Sequence, residues 1–104
     1  MIDVKTKFVS VLIFTIEPDQ LPEFAQHSTI VMQRKVPVLH GFVEGVVMAD
    51  ESKRELLIVT QWETRDAWSA AQWNESVSQS LGQFVESART FQFRTYEPIT
   101  IVRA

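Results

Sequence analysis

The sequence predicts an α+β domain in the order strand, helix, strand, strand, helix, strand. This is the ferredoxin-like βαββαβ pattern, an antiparallel four-stranded sheet with its helices on one face. Three observations carry the prediction. Residues 56–60 (LLIVT) are all apolar or β-branched, which suits a central strand, and the run passes through Gln61-Trp62-Glu63 into a helix start at Thr64 and Asp66. From Leu21 onward, apolar residues recur at helical spacing. Strand-like stretches at residues 8–16 and 91–97 flank the whole.

Residues 8–16 (FVSVLIFTI) form the first strand, with Phe8, Leu12, Phe14 and Ile16 on one side and Val9, Val11 and Ile13 on the other. Both sides are apolar, so both are covered. Asp19 is the expected cap of the following helix and Pro22 sits in its first turn. Leu21, Phe24, Ala25, Ser28, Val31 and Met32 make its buried stripe, while Gln26, Gln33 and Arg34 face water. The helix stops before Pro37, because a residue preceding proline is pushed out of helical geometry.

Residues 41–49 (GFVEGVVMA) are the second strand, and polar residues 50–54 turn the chain back into the third. Gly45 within the second strand marks a bulge or a close backbone approach. After Trp62 a short helix capped by Thr64 is expected, then a break near Asn74, which caps a longer helix running to about Ala88 with Gly82 as its weak point. Residues 91–97 alternate as the fourth strand, and Pro98 ends it before an extended tail at 99–102.

A chain of 104 residues makes one domain, residues 1–104, near the small end of what buries a full core without disulfides or metals. Cysteine is absent, which excludes a disulfide framework, thiolate metal sites and a cysteine nucleophile, and which suits the reducing cytoplasm. The net charge is −3 and the Lys and Arg residues are scattered singly, so no nucleic-acid partner is expected. Lys5 and Lys7 precede an apolar run, but no small-residue cleavage site follows and Glu17-Pro18 ends it abruptly, so it reads as a strand rather than a signal peptide. No stretch reaches the roughly eighteen apolar residues of a membrane span. An apolar content of 45% with 11% aromatics leaves a surplus to hide, and with the helices on one face the open face of the sheet is expected to pack on a second copy as a homodimer.

Gly41-Phe42 opening the second strand, and Gln61-Trp62-Glu63-Thr64 followed by Ala67-Trp68 entering the second helical region, give the chain a likeness to a known family. Over roughly residues 8–102 it resembles the antibiotic biosynthesis monooxygenases. The resemblance implies a dimeric α+β barrel, two ferredoxin-like protomers stacked sheet to sheet. In the quinone-forming members the tryptophan of the Gln-Trp-Glu motif lines the pocket, and here that position is Trp62. Their asparagine four residues earlier corresponds to Ile58, and their tyrosine six residues later to Trp68. Their helix arginine falls near Gly82 and their strand histidine near Met48. The asparagine, tryptophan and histidine of the haem-degrading members land near Phe14, Ala71 and Leu81.

A cofactor-free oxygenation asks the protein to bury a phenol, orient it beside dioxygen and supply a proton acceptor or an anion-stabilising donor. Trp62 and Trp68 can sandwich a flat aromatic substrate, and an indole N–H can donate to a developing oxyanion. Core aromatics sealing the joint between strand and helix are the alternative reading of both. His40, before the second strand, is the candidate base; a solvated loop histidine is its plainer reading. Phe14, His27, Ile58, Trp73 and Tyr96 complete the candidate substrate site. Two distant histidines without clustered carboxylates build no metal site.

The expected activity is therefore a monooxygenase acting on a planar aromatic or polyketide-like phenol with dioxygen, in an apolar pocket between helices and sheet, with no cofactor. Two alternatives stand beside it. One is haem binding or degradation through His27 or His40 as a non-standard ligand; the other is a non-catalytic dimer that binds a small apolar ligand.

Overall fold

The computed structural model describes residues 5–102 and residue 104. Its order is β1 (Phe8–Thr15), α1 (Leu21–Arg34), β2 (Phe42–Ala49), β3 (Glu55–Trp62), α2 (Arg65–Gln72), α3 (Glu75–Ser87) and β4 (Thr90–Tyr96). The strands form one antiparallel sheet in the order β2-β3-β1-β4, the ferredoxin-like arrangement, with β1 and β3 central as their two-sided apolar sequences require. No described helix is long and apolar enough to cross a membrane.

Register decides which side chains face the helices. Phe8 pairs with Trp62, Ser10 with Thr60, Leu12 with Ile58 and Phe14 with Leu56, and all of these point inward. Val9, Val11, Ile13, Leu57 and Val59 point to the opposite face, where Val46 and Met48 of β2 join them. Val59 is buried there and Met48 exposed, and the other five are half-buried.

The inward side chains form two clusters. Phe14, Ile16, Phe24, Val31, Leu56, Ile58 and Phe84 make the first, and Phe8, Val36, Trp62, Ala67 and Ala71 the second. Met32 packs against both, so the unbranched thioether bridges the seam between them.

The helix boundaries have local causes. Thr64 accepts from the Ala67 amide at 3.0 Å and starts α2, and Asn74 accepts from the Val77 amide at 3.2 Å and starts α3 after the expected break. One expectation needs correction and another is resolved. The N-cap of α1 is Gln20, whose side chain makes no capping bond, rather than Asp19. The irregularity in β2 lies between Phe42 and Glu44 rather than at Gly45. Gly45 answers instead to close approach, since a Cβ there would collide with the Met32 methyl. Beyond Pro98 the tail pairs with no strand, and Ile99 and Val102 are exposed.

Candidate functional site

The seam between the two clusters is imperfectly filled. An apolar cavity of about 70 Å³ lies there between the sheet and the helices. The first cluster contributes Val31, Ile58 and Phe84 to its wall, and the second contributes Val36, Trp62 and Ala71. Met32, Leu39, Trp68, Val77 and Leu81 close it further, and its polar lining consists of Ser10, Thr60, Gln72 and Ser80.

The junction from β3 to α2 sets the aromatic wall. Trp62, the last residue of β3, is 2% exposed, and Phe42 meets it edge-on with ring centroids 5.4 Å apart. Trp68 lies one turn into α2 and packs against Phe8 at 5.1 Å. The junction is tightened by Gly41, whose carbonyl accepts from the Glu63 amide at 2.8 Å and whose Cα faces Ala67 with no room for a Cβ.

The cavity therefore gathers Trp62, Trp68 and Ile58 of the expected site residues, and the other five lie elsewhere. Phe14 is fully buried in the first cluster, packed between Phe24, Phe84 and Phe91, because its row of the sheet is covered by the bodies of α1 and α3. His27 is exposed on α1, edge-on to Phe84, in a surface groove with Gln20, Glu23 and Ser87. His40 is exposed in the loop before β2 and borders a second surface groove with Trp73 and Asn74. Trp73 is 85% exposed, because the break between α2 and α3 turns it outward. Tyr96 pairs with Val9, so it stands on the sheet face away from the helices.

The indole N–H of Trp62 is already engaged, donating to Thr60 Oγ1 at 2.8 Å. Ser80 accepts from Lys35 Nζ at 2.8 Å and donates to the Ser76 carbonyl at 3.1 Å, which places one ammonium just behind the cavity wall. Among the described residues no ionisable side chain lines the cavity itself. Among the described residues no group of three or more His, Asp or Glu could hold a metal ion. Ser10, Thr60 and Ser80 were not among the expected site residues. The signal that could have found the first two was parity, since Ser10 alternates with Phe8 and Leu12, and Thr60 with Ile58 and Trp62.

No protein-family model matches the chain, and no curated protein sequence does either. Solved structures do match. A monooxygenase from the gene ActVA-Orf6 of Streptomyces coelicolor, in complex with nanaomycin D, superposes with a TM-score of 0.83 at 18% identity, covering 98% of this chain and 96% of that one. Rv0793 from Mycobacterium tuberculosis gives 0.81 at 12% identity over 94% of this chain and 100% of that one. SnoaB, a cofactor-independent oxygenase from Streptomyces nogalater, crystallised in a mutant form, gives 0.74 at 13% identity over 95% and 99%. At these identities the likeness is one of fold: the chain has the antibiotic biosynthesis monooxygenase fold along nearly its whole length.

Proposed function

We propose that the protein is a cofactor-independent monooxygenase that oxidises a planar aromatic phenol in the cavity walled by Trp62 and Trp68. The observation that carries the reading is that cavity, apolar and bounded by two indoles, on a fold shared with a monooxygenase and a cofactor-independent oxygenase. The reaction needs no outside reductant. One atom of dioxygen becomes a new ring carbonyl, and the other leaves as water with the two hydrogens lost from the phenol O–H and a ring C–H. The protein's share is to bind the ring between aromatic walls, exclude bulk water and hold dioxygen beside it. With no ionisable side chain among the described residues that line the cavity, the favoured substrates are phenols acidic enough to ionise on their own.

Size adds a requirement. At about 70 Å³ the cavity is well below the roughly 300–1,000 Å³ of small-molecule sites. Leu39 and Ala71 wall both the cavity and the groove of about 260 Å³ that holds His40 and Trp73. Moving the Leu39 side chain joins the two spaces, which together reach the lower end of that range, and brings His40 and Trp73 to the outer end of a bound ligand. The half-buried apolar residues Val9, Val11, Ile13 and Leu57 on the open sheet face support assembly as a homodimer, and a sequence without cysteine suits the reducing cytoplasm.

Oxygen uptake by the purified protein with dihydroxynaphthalenes and anthrones tests the reading. Uptake that requires folded protein and falls at least tenfold in Trp68→Ala supports it, and no uptake with any phenol overturns it. The apolar lining that the described residues give the cavity favours a second reading, a dimer that binds a small apolar ligand without turning it over. Ligand binding without uptake would establish that instead, and a Soret band on adding haemin, lost in His27→Ala or His40→Ala, would point to haem.

A further inference from the structure

The floor of the cavity is crossed by a row of small and hydroxyl-bearing residues. Antiparallel register places Gly45 of β2, Thr60 of β3, Ser10 of β1 and Thr95 of β4 side by side across the whole sheet. The rows on either side are bulky, with Val47, Ile58, Leu12 and Phe93 toward one end and Phe42, Trp62 and Phe8 toward the other. The cavity exists because this one row is short. Gly45 continues the row beyond the cavity, where the space its missing Cβ leaves is taken by the Met32 methyl.

The polar atoms on that floor are unevenly satisfied. Thr60 Oγ1 accepts from Trp62 Nε1 at 2.8 Å, and among the described residues its own proton goes to no protein acceptor. Ser10 is 2% exposed and directly opposite Thr60, and its hydroxyl likewise has no partner among the described residues. Cross-strand neighbours on one face have Cβ atoms about 4.5–5.5 Å apart, so both hydroxyls reach a single ligand atom. Neither hydroxyl proton has an acceptor among the described residues, so a ligand oxygen that supplies one gains a hydrogen bond there.

We infer that Thr60 and Ser10 form a two-hydroxyl cradle that donates to an oxygen acceptor on the ligand, a ring carbonyl or phenolate, with the Trp62 indole behind Thr60 as a positioning group. The inference rests on the proposed function in taking this cavity as the binding site, and it narrows the ligand class to flat apolar compounds carrying such an oxygen at their buried end. The relay has direction. Thr60 accepts from the indole through its oxygen and keeps its own proton to donate, and accepting strengthens that donation through polarisation along the chain of bonds. A hydrocarbon of the same shape leaves both hydroxyl protons without an acceptor.

The test uses acetophenone and α-methylstyrene, which differ only in C=O against C=CH2, and needs no turnover. Binding is followed by NMR through the three tryptophan indole N–H resonances, assigned by single Trp→Phe substitutions. Acetophenone is expected to shift the Trp62 indole proton, and α-methylstyrene to leave it nearly in place. Thr60→Val should lower the ratio of acetophenone to α-methylstyrene affinity about tenfold, with Thr60→Ser restoring it and Ser10→Ala giving a smaller drop. Using the ratio cancels the difference in hydrophobicity between the probes. An unchanged ratio in Thr60→Val overturns the inference, and so does an indole proton that neither probe moves. Should Thr60→Val fail to fold, the wild-type indole shift decides. Oxygen uptake is a separate measurement, so an inactive protein that still selects the ketone refutes the proposed oxygenase and leaves the cradle standing.

Discussion

Gly41→Ala is expected to be among the most damaging small substitutions in the chain. Gly41 holds φ at +78°, a left-handed conformation that costs a residue with a Cβ roughly 1–2 kcal/mol. The new Cβ would also lie 2.5 Å from the Ala67 Cβ, so the start of α2 would have to move away from β2. Forcing a methyl into packed surroundings typically costs about 1–3 kcal/mol, which brings the expected loss to about 2–5 kcal/mol. For a domain of this size that is a fall in Tm of at least about 10 °C. Gly82→Ala provides the internal control. A Cβ at Gly82 meets nothing within 4 Å, and the residue lies exposed inside α3, so the same chemical change should stabilise by about 0.5–1 kcal/mol. Thermal and urea denaturation of both variants, followed by far-ultraviolet circular dichroism, reads the two signs. A loss below about 1 kcal/mol in Gly41→Ala would refute the packing argument for the junction that carries Trp62 and Trp68.

Two further outcomes are expected. The Asp50 carboxylate, bonded to the Ser52 hydroxyl and to the Glu55 and Arg54 amides in the turn between β2 and β3, is pushed down to about 2 from its ordinary 3.8. Its folded-state pKa is depressed, so its contribution is fully present above pH 3.8 and is lost as the pH falls through about 2. The difference in urea midpoint between wild type and Asp50→Asn should therefore shrink between pH 4 and pH 2, and parallel curves would contradict this. Ala71→Leu, on the inner face of α2, fills the cavity from the helix side. It should leave Tm unchanged or raised, unlike an insertion into a fully packed core, while abolishing the acetophenone shift at the Trp62 indole; retained binding would place the ligand elsewhere.

The architecture was legible because it rests on local signals. Thr64 and Asn74 cap helices where their side chains predicted, since an N-cap is a matter of four consecutive residues. The site was less legible because it depends on pairing and on helix placement. Alternation along β4 separates Tyr96 from Phe91 and Phe93, but only its register with Val9 shows that Tyr96 faces away from the helices. Phe14 and Ile58 both point inward, yet one is sealed in the core and the other borders a void. What separates them is which helix side chains lie over each, Phe24 and Phe84 over Phe14 and the cavity beside Ile58, and neither strand's own pattern records that. Trp73 itself, an apolar residue in an otherwise helical pattern, was expected in the site; it lies at the end of α2, where the helix axis ends and the stripe no longer faces the core.

The void is itself informative about what the chain has been shaped to do. A recess of about 70 Å³ between sheet and helices leaves its lining side chains with fewer packing partners than a filled core would give them. A chain selected for stability alone would place a branched aliphatic residue at Ser10 or Thr60, as it does in the neighbouring row with Leu12 and Ile58. Instead, hydroxyls occupy both positions, and a glycine beside them accommodates the flexible end of Met32. Packing does not explain that combination, since it leaves space and donors together beside the aromatic wall. Recognition of an oxygen-bearing ring does, because hydroxyl protons that no protein group accepts become hydrogen bonds in the occupied protein.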